Sequence, residues 1–234
     1  PITRAVGIDS GLTPLLTTYE TEGHSAEVYA PRVYSKAEKR LKRLQRHFSR
    51  TEKGSKNRGK ARMRLAKQHA KIKHQRTDFA HKVSTGLVRD YDAIFFEDLN
   101  VAGMSQNHCL AKSIHDAAWT QTITFTDYKA KRAGKTSDVV PAPYTSQDCS
   151  FCGTRHPEMR DLSIRIFQCR ACGNTTGRDK NASRGILMRG LQQVGKDIAE
   201  LTPAEIVPLP TQRTVSASMV EEPGTILNGG MKCP

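Results

Sequence analysis

The chain has 234 residues, enough for one sizeable domain or for a domain with an inserted module. It carries 37 Lys and Arg against 23 Asp and Glu, and the net charge of +14 favours a polyanionic partner. No apolar run approaches the roughly 20 residues that span a bilayer, and no signal peptide is recognisable. We therefore expect a soluble, cytoplasmic protein without a membrane partner.

The first elements are predicted to be strands and then long helices. Residues 2–9 predict an apolar strand that ends in a turn, and residues 12–29 predict two further strands. Apolar residues then recur at helical spacing over about residues 35–89, interrupted by a polar break at residues 51–60. This pattern predicts an antiparallel helical hairpin. The apolar run in residues 91–100 (YDAIFFEDLN) predicts a buried central strand.

The second half alternates helices with a short strand. Residues 110–133 are predicted to be helical and contain the single tryptophan, which we assign to the core. Residues 137–144 predict a short strand, and a last helix is predicted from Lys180 to Ala199. Residues 201–234 are rich in Pro, Thr and Gly and show little periodicity, so they predict a flexible tail.

The predicted hairpin is strongly basic. Between Arg32 and Lys82 there are 19 Lys and Arg and three acids, a surplus of 16 charges. A solvated helical face is one explanation, but bound phosphates would relieve the mutual repulsion, so nucleic acid is favoured. The candidate contact residues are Arg43, Arg46, Lys56, Arg58, Lys60, Arg62, Lys67, Lys71 and Lys73, together with Arg178 further along the chain.

Four of the six cysteines form two CxxC pairs. Cys149 and Cys152 are separated by 16 residues from Cys169 and Cys172, a spacing typical of a four-cysteine zinc site. Four thiolates leave zinc no open coordination position, so the predicted site is structural. A redox dithiol is the alternative explanation of the same pattern.

Three acids stand at the ends of predicted elements. Asp9 ends the first strand, Glu97 ends the buried strand, and Asp179 opens the helix after the cysteine pairs. If the three meet, they could hold two Mg²⁺ or Mn²⁺ ions for phosphodiester cleavage. Each acid also has a simpler explanation: a turn residue, a solvent-facing strand end and a helix N-cap. The spacing leaves both explanations open.

Four segments carry a resemblance to a known family. VGIDSGL, IFFEDLNVAGM, YTSQDCSFCG and CRACGNTTGRDKNAS occur in this order and resemble the TnpB/OrfB family of insertion-sequence proteins over about residues 5–190. The resemblance implies an α/β fold of the RNase H-like (RuvC) type, a mixed sheet with a basic helical hairpin and an inserted four-cysteine zinc ribbon. It divides the chain into a first nuclease part (1–143), the ribbon (144–178) and a last helix (179–200).

The same resemblance implies an activity. Members of this family are similar to type V CRISPR effectors, and the resemblance implies an RNA-guided DNA endonuclease linked to DNA transposition and recombination. It places the catalytic, Mg²⁺-binding acids on Asp9, Glu97 and Asp179, and zinc on the four paired cysteines. The implied partners are DNA and a guide RNA encoded by the element, and the implied location is the nucleoid of a prokaryotic cell.

The sequence departs from this family at its start. Family members usually carry a long N-terminal half, whereas here the first acid is already at position 9, as in a fragment or a natural truncation. A truncated zinc-ribbon protein that binds nucleic acid without cutting it is therefore the alternative function. A transposase that joins DNA ends ranks third, because nothing resembles a Tyr or His-x-His strand-transfer site.

Overall fold

The computed structural model describes residues 2–195, so the predicted tail at 201–234 lies outside the described residues. Seven strands are present in this range: β1 (Ala5–Ser10), β2 (Leu16–Glu20), β3 (Ser25–Val28), β4 (Ala93–Asp98), β5 (Thr136–Pro141), β6 (Ile166–Gln168) and β7 (Thr175–Gly177). The α-helices are α1 (Val33–Arg50), α2 (Lys56–Asp90), α3 (Val101–Met104), α4 (His108–Ala117), α5 (Trp119–Arg132) and α6 (Arg178–Gln193). Within this range no helix combines the length and apolarity needed to cross a membrane.

The five long strands form one mixed sheet in the order β3-β2-β1-β4-β5. The first three strands are joined as an antiparallel meander, while β4 and β5 run parallel to β1. The parallel connections are made by helices, as parallel pairing requires. The chain is therefore a mixed α/β protein, and β6 and β7 form a separate antiparallel pair.

Both faces of the sheet are covered. On one face α6 contributes Ile186, Leu187 and Leu191 to a cluster with Ala93 and Phe95. On the other face α2, α4 and α5 cover the alternate side chains of β1 and β4, and Trp119 is buried there. Because β4 is buried on both sides, its sequence is apolar throughout rather than alternating. The predicted central strand is confirmed.

Two glycines bring α6 very close to the sheet. A Cβ added to Gly7 on β1 would lie 2.3 Å from the carbonyl oxygen of Ser183 and from the backbone nitrogen of Leu187. A Cβ added to Gly190 on α6 would lie 2.1 Å from the ring of Phe95. Only glycine fits at these crossings, so the two positions fix the distance between α6 and the strands.

Gly7→Ala is expected to destabilise the protein. The added methyl group meets helix backbone rather than a flexible side chain, so α6 must shift away from β1. We expect a loss of about 2 kcal/mol in the free energy of unfolding, measured by denaturant titration. Gly86→Ala on α2 is the matched control, because nothing lies within 4 Å of its added Cβ. Equal stability of the two variants would contradict the close crossing.

The predicted helical hairpin is confirmed as α1 and α2. Leu41 on α1 packs against Ile72 on α2 in a small buried cluster, and Ser55 caps α2 by accepting the N–H of Arg58. The guanidinium of Arg58 donates to the carbonyls of Phe48 and Thr51, at 3.3 and 2.8 Å, and so closes the turn. The long outer faces of both helices remain exposed.

Two helix boundaries differ from the prediction. The predicted helix at residues 110–133 is split at Ala118, whose φ of 53° is left-handed and ends α4 before α5 begins. The last helix ends at Gln193 rather than at the predicted Ala199. Gly195, with a φ of 69°, turns the chain just beyond that end.

Candidate active site and metal centre

Asp9 and Glu97 stand on neighbouring parallel strands. In the pairing of β1 with β4, Gly7 lies opposite Phe95 and Ile8 opposite Phe96. The next pair in this register is Asp9 and Glu97, on strands about 4.8 Å apart. Side chains alternate along a strand, so both acids share the face of Gly7, which α6 covers.

Asp179 reaches the same place from above the sheet. It lies in the first turn of α6, four residues before Ser183, whose carbonyl marks the crossing with Gly7. One helical turn toward the N-terminus therefore brings Asp179 to the level of Asp9. The structure thus brings Glu97 and Asp179 within electrostatic range of Asp9 at one end of the sheet, although the oxygens of the three acids do not all lie within 4.8 Å of one another.

The pKa of Asp9 reflects its burial and the two neighbouring acids. Burial, followed by the negative charges of Glu97 and Asp179, raises the pKa of Asp9 to about 8, and Arg178 opposes the rise only in part. Among the described residues none of the three acids forms an ion pair within 4 Å. Carboxylates held near one another with no ion-pair partner within 4 Å create a site that favours a cation.

Glu97 is held more rigidly than a strand-end carboxylate needs to be. It is 8 % exposed, and the hydroxyl of Thr145 donates to its Oε1 at 2.5 Å. Burial raises the pKa of Glu97, while the Thr145 hydrogen bond and the charge of Arg189 act in the opposite direction. This burial rules out the simple explanation of a solvent-facing strand end.

The donor set fits a hard divalent cation. Three carboxylates supply oxygen ligands, which Mg²⁺ and Mn²⁺ prefer over nitrogen or sulfur. A cation at this end of the sheet would also stabilise the ionised form of Asp9, whose pKa is raised by burial and then by repulsion from Glu97 and Asp179. The residues present therefore fit such an ion on both donor chemistry and charge.

Asp9→Asn is expected to stabilise the metal-free protein. The pKa of Asp9 is raised above its unfolded value, so its contribution to stability is full at low pH and is lost as pH rises toward 8. Asparagine removes this loss of stability, and we expect a gain of several kcal/mol at pH 8 and little gain near pH 4. Thermal unfolding of the zinc-loaded protein without added Mg²⁺ or Mn²⁺, at both pH values, measures the difference.

Asp92 provides a control, because its pKa is shifted in the opposite direction to that of Asp9. Hydrogen bonds from the Thr3 hydroxyl, and from the backbone N–H groups of Thr3 and Arg4, lower the pKa of Asp92 to about 2. Its stabilising contribution is present above the unfolded pKa and is lost in acid. Asp92→Asn should therefore cost about 1 kcal/mol at pH 8, after allowance for its partial exposure. If both variants shift the melting temperature in the same direction, the charge explanation fails.

The four paired cysteines converge. Their Sγ atoms all lie within 4.8 Å of one another, with Cys149 3.7 Å from Cys172 and Cys152 3.5 Å from Cys169. This group of four thiols could hold one metal ion.

Both pairs use the same backbone turn. The N–H of Gly153 donates to the Cys149 carbonyl at 2.8 Å, and the N–H of Gly173 donates to the Cys169 carbonyl at 3.0 Å. Both glycines have a φ of 74°, a left-handed conformation that other residues rarely adopt. Two equivalent turns presenting two sulfurs each are typical of a metal-binding ribbon and do not require a redox pair.

A buried histidine supports the cysteine group. The Nε2 atom of His156 lies 3.3 Å from the Sγ of Cys169, and its ring packs edge-on against Phe167. The backbone N–H of Cys172 lowers the pKa of Cys169, with a smaller contribution from His156. Cys169 is thereby biased toward the thiolate, the form that binds metal.

The ribbon that carries the cysteines is bonded directly to α6. Asn181, which is 1 % exposed, donates to the carbonyl of Asp148 at 2.8 Å and accepts the N–H of Ser150 at 3.0 Å. The buried guanidinium of Arg178 donates to the carbonyl of Asp161 at 2.7 Å. These bonds flank Asp179 on both sides along α6, so the cysteine ribbon and the third acid are parts of one rigid junction.

The predicted nucleic-acid contacts divide into two groups. Eight are exposed on the hairpin: Arg43, Arg46, Lys56, Lys60, Arg62, Lys67, Lys71 and Lys73. Arg58 and Arg178 instead direct guanidinium groups to backbone carbonyls inside the protein. The exposed eight are available to phosphates, whereas these two have structural partners.

Another group of possible ligands lies elsewhere. Glu20, Glu22 and His24 have ligand atoms within 4.8 Å of one another at the turn between β2 and β3. Arg4 contacts both glutamates, at 2.8 and 3.3 Å, and His24 lies 3.0 Å from Glu20. Their charges are already compensated, unlike those of the three acids.

Two family models match the chain in sequence. The OrfB_IS605 model, described as a probable transposase, matches residues 1–108. The TNB domain model of Cas12f1-like proteins matches residues 119–186, the part that contains the cysteine ribbon.

Curated relatives agree with these matches. A protein of Streptomyces pristinaespiralis named "Putative RNA-guided DNA endonuclease" is 40% identical over 190 residues, which cover 81% of this chain and 46% of that protein. The similarly named InsQ of Escherichia coli K12 is 34% identical over 206 residues, covering 81% of this chain and 50% of InsQ. The chain spans about half the length of these relatives.

Solved structures show the same fold. A Cas12f1 complex with guide RNA and target DNA superposes with a TM-score of 0.57 at 14% identity, covering 80% of this chain and 49% of that chain. A ternary CRISPR-Cas12f complex gives a TM-score of 0.56 at 18% identity, covering 80% and 38%. By its sequence matches, the first part of the chain is similar to the OrfB_IS605 family of probable transposases, and residues 119–186 are similar to the TNB domain of Cas12f1-like proteins.

Proposed function

We propose that this chain is the RuvC-like nuclease part of an RNA-guided DNA endonuclease. The observation that carries the proposal is the proximity of Asp9, Glu97 and Asp179 at one end of the sheet, where burial and then the charges of Glu97 and Asp179 raise the pKa of Asp9. The sheet order, with an antiparallel meander followed by two parallel strands, supports an RNase H-like fold with the first acid on its central strand. The relatives' names supply the activity that this geometry fits.

In the proposed mechanism the three carboxylates hold the catalytic cations. Bound Mg²⁺ or Mn²⁺ would activate a water molecule and stabilise the leaving oxygen of a phosphodiester. Asp9 and Glu97 extend from rigid neighbouring strands, so their separation is fixed before substrate arrives. Arg178 places a fixed positive charge near Asp9, which favours its ionised, ligating form.

The cysteine ribbon has a structural role in this proposal. Four sulfur ligands suit Zn²⁺ and would leave it no open position for chemistry. Zinc would instead fold the ribbon, and Asn181 would transmit that order to the start of α6. The third acid is therefore positioned by a metal that takes no part in the reaction.

The basic hairpin is the proposed contact for DNA and for a guide RNA encoded by the element. Its outer face exposes eight of the predicted Lys and Arg residues without a balancing number of acids. The two acids that do pair along these helices, Glu38 with Lys42 and Asp78 with Lys82, compensate only a small part of the charge. A bound polyanion would compensate the rest.

Cleavage of labelled single- and double-stranded DNA tests the proposed function. The zinc-loaded chain should cut with Mn²⁺ or Mg²⁺ and should stop when the cation is chelated. Salt-sensitive binding without any cutting would favour the alternative, a nucleic-acid-binding protein that does not cleave. An assay with added guide RNA, made from the element's own flanking sequence, tests whether RNA directs the cut.

Binding to nucleic acid is expected to fall steeply with salt. Each phosphate neutralised by a lysine or arginine releases a counter-ion, so six contacts would lower affinity by about 10³-fold between 50 and 200 mM salt. Charge-reversal of Lys67 and Lys71 should reduce the slope of log Kd against log salt by about two. Reversal of Lys131, on α5 outside the hairpin, serves as the control. A flat salt dependence would exclude the hairpin as the contact surface.

A further inference from the structure

The loop that connects β5 to the first cysteine makes many hydrogen bonds to the rest of the protein. This strap, residues 141–148, begins at the last residue of β5, leaves the sheet beside β4 and enters the ribbon at Cys149. Arg189 on α6 donates to the carbonyls of Pro141 and Pro143, at 3.0 and 2.9 Å, and to Asp148 at 3.0 Å. One guanidinium thus ties both ends of the strap to the helix that carries Asp179.

The middle of the strap is also fixed. Tyr144 has a left-handed φ of 67°, which costs a non-glycine residue about 1–2 kcal/mol unless its surroundings hold it. Its carbonyl accepts the N–H groups of Gln147 and Asp148, at 3.0 and 2.9 Å. Its ring is covered by the guanidinium of Arg155, which lies 3.5 Å from the ring centre and pairs with Asp148.

The bonds that hold the strap in place also fix the position of the Thr145 hydroxyl group. Thr145 is 5 % exposed, and its Oγ lies 2.5 Å from Oε1 of Glu97 and 3.0 Å from the carbonyl of Ala142. A hydroxyl has a single proton, and an ionised carboxylate is the stronger acceptor of the two. The Thr145 hydroxyl therefore donates its hydrogen bond to Glu97, rather than to the carbonyl of Ala142, whenever Glu97 is ionised.

We infer that Thr145 is a positioning residue for Glu97, delivered by the strap and coupled through it to the cysteine ribbon. The inference rests on the proposed function, since it concerns the orientation of a proposed cation ligand. A buried carboxylate whose partner is removed can rotate or draw in water, and groups that hold metal ligands in place commonly contribute 10- to 100-fold to metal affinity.

Two substitutions at Thr145 separate the effect of the hydroxyl group on Mn²⁺ binding from the effect of the side chain's shape. Thr145→Val keeps the branched shape and removes the donor, whereas Thr145→Ser keeps the donor. The probe is Mn²⁺ itself, titrated into the zinc-loaded full chain and followed by the electron paramagnetic resonance signal of the free ion. Zinc content and melting temperature are measured on the same samples.

We expect Thr145→Val to weaken Mn²⁺ binding by about 10-fold, and Thr145→Ser to bind within about threefold of the wild type. Any cleavage by Thr145→Val should be restored by raising Mn²⁺, with the KM for DNA unchanged. Mn²⁺ binding by Thr145→Val equal to that of the wild type, or equal losses in both variants, would overturn the inference. If Asp9→Ala also leaves Mn²⁺ binding intact, the proposed cation site itself is wrong.

Arg189→Lys provides a second route if Thr145→Val loses zinc or fails to fold. It keeps a positive charge near Glu97 but lacks the planar guanidinium that bonds both ends of the strap, so it should weaken Mn²⁺ binding several-fold with zinc retained. Tight Mn²⁺ binding in a folded, zinc-loaded Arg189→Lys variant would show that the strap does not position Glu97.

Discussion

Asp179→Ala is expected to abolish metal-dependent DNA cleavage while leaving DNA binding intact. Loss of one of the three proposed carboxylate ligands would remove several kcal/mol of stabilisation from the proposed transition state, which corresponds to about 10³-fold in rate. Binding should persist because the exposed basic hairpin lies on other elements, α1 and α2. Single-turnover cleavage and a gel-shift titration on the same preparation measure both effects.

The matched control for this variant is Asp161→Ala. Asp161 lies in the ribbon, and it contacts Arg178 through its backbone carbonyl, which the substitution retains. It should therefore cleave at close to the wild-type rate. Cleavage by Asp179→Ala at the wild-type rate would remove Asp179 from the proposed site, and a loss of binding in that variant would point to a folding defect instead.

Cys149→Ser is expected to release the ribbon's metal and to depress cleavage as a secondary effect. Cys149 is buried among the other sulfurs, and a serine hydroxyl is a poor replacement for a thiolate ligand of zinc. Without the metal the two turns lose their common anchor, and the strap and Asn181 lose the structure that they attach to. We expect near-complete loss of bound zinc and at least a 10-fold loss in cleavage rate.

Phe151→Ala is the control in the same turn. Phe151 is 57 % exposed and stacks on Arg184 without offering a ligand atom, so this variant should retain zinc. Metal content by atomic absorption and proteolysis of the ribbon report the two expected changes. Full zinc retention in Cys149→Ser would contradict the four-sulfur site, whereas zinc loss with normal cleavage would contradict the coupling of the ribbon to the acids.

Much of this arrangement could be predicted because it is local in sequence. The hairpin follows from helical spacing on α1 and α2, and the buried strand follows from the apolar run before Glu97. The cysteine group follows from two CxxC pairs, since each pair needs only one turn to present two sulfurs.

The parts that could not be predicted depend on contacts between distant segments. Thr145 and Glu97 are 48 residues apart, and no pattern in either segment indicates that a hydroxyl will meet that carboxylate. The close crossing at Gly7 depends on helix backbone from the far end of the chain. Asn181 and Arg189 belong to an ordinary helical sequence, and their roles arise only from the strap and ribbon that pack against α6.

The proximity of the three acids lowers the stability of the metal-free protein, and the rest of the fold offsets this loss. Burial of Asp9, followed by repulsion from Glu97 and Asp179, destabilises the metal-free protein, while the rigid strands and the close packing of α6 keep the acids in place. Sites of this kind combine local instability with function. The same substitution should therefore improve stability and remove activity.

The most direct test is the Mn²⁺-dependent cleavage rate of Asp9→Asn relative to the wild-type chain, measured on protein whose melting temperature at pH 8 is also known. The proposed site predicts a variant that melts at a higher temperature without added Mg²⁺ or Mn²⁺ and cuts DNA at least about 10³-fold more slowly. A variant that cuts as fast as the wild type would show that the three acids do not form the nuclease site.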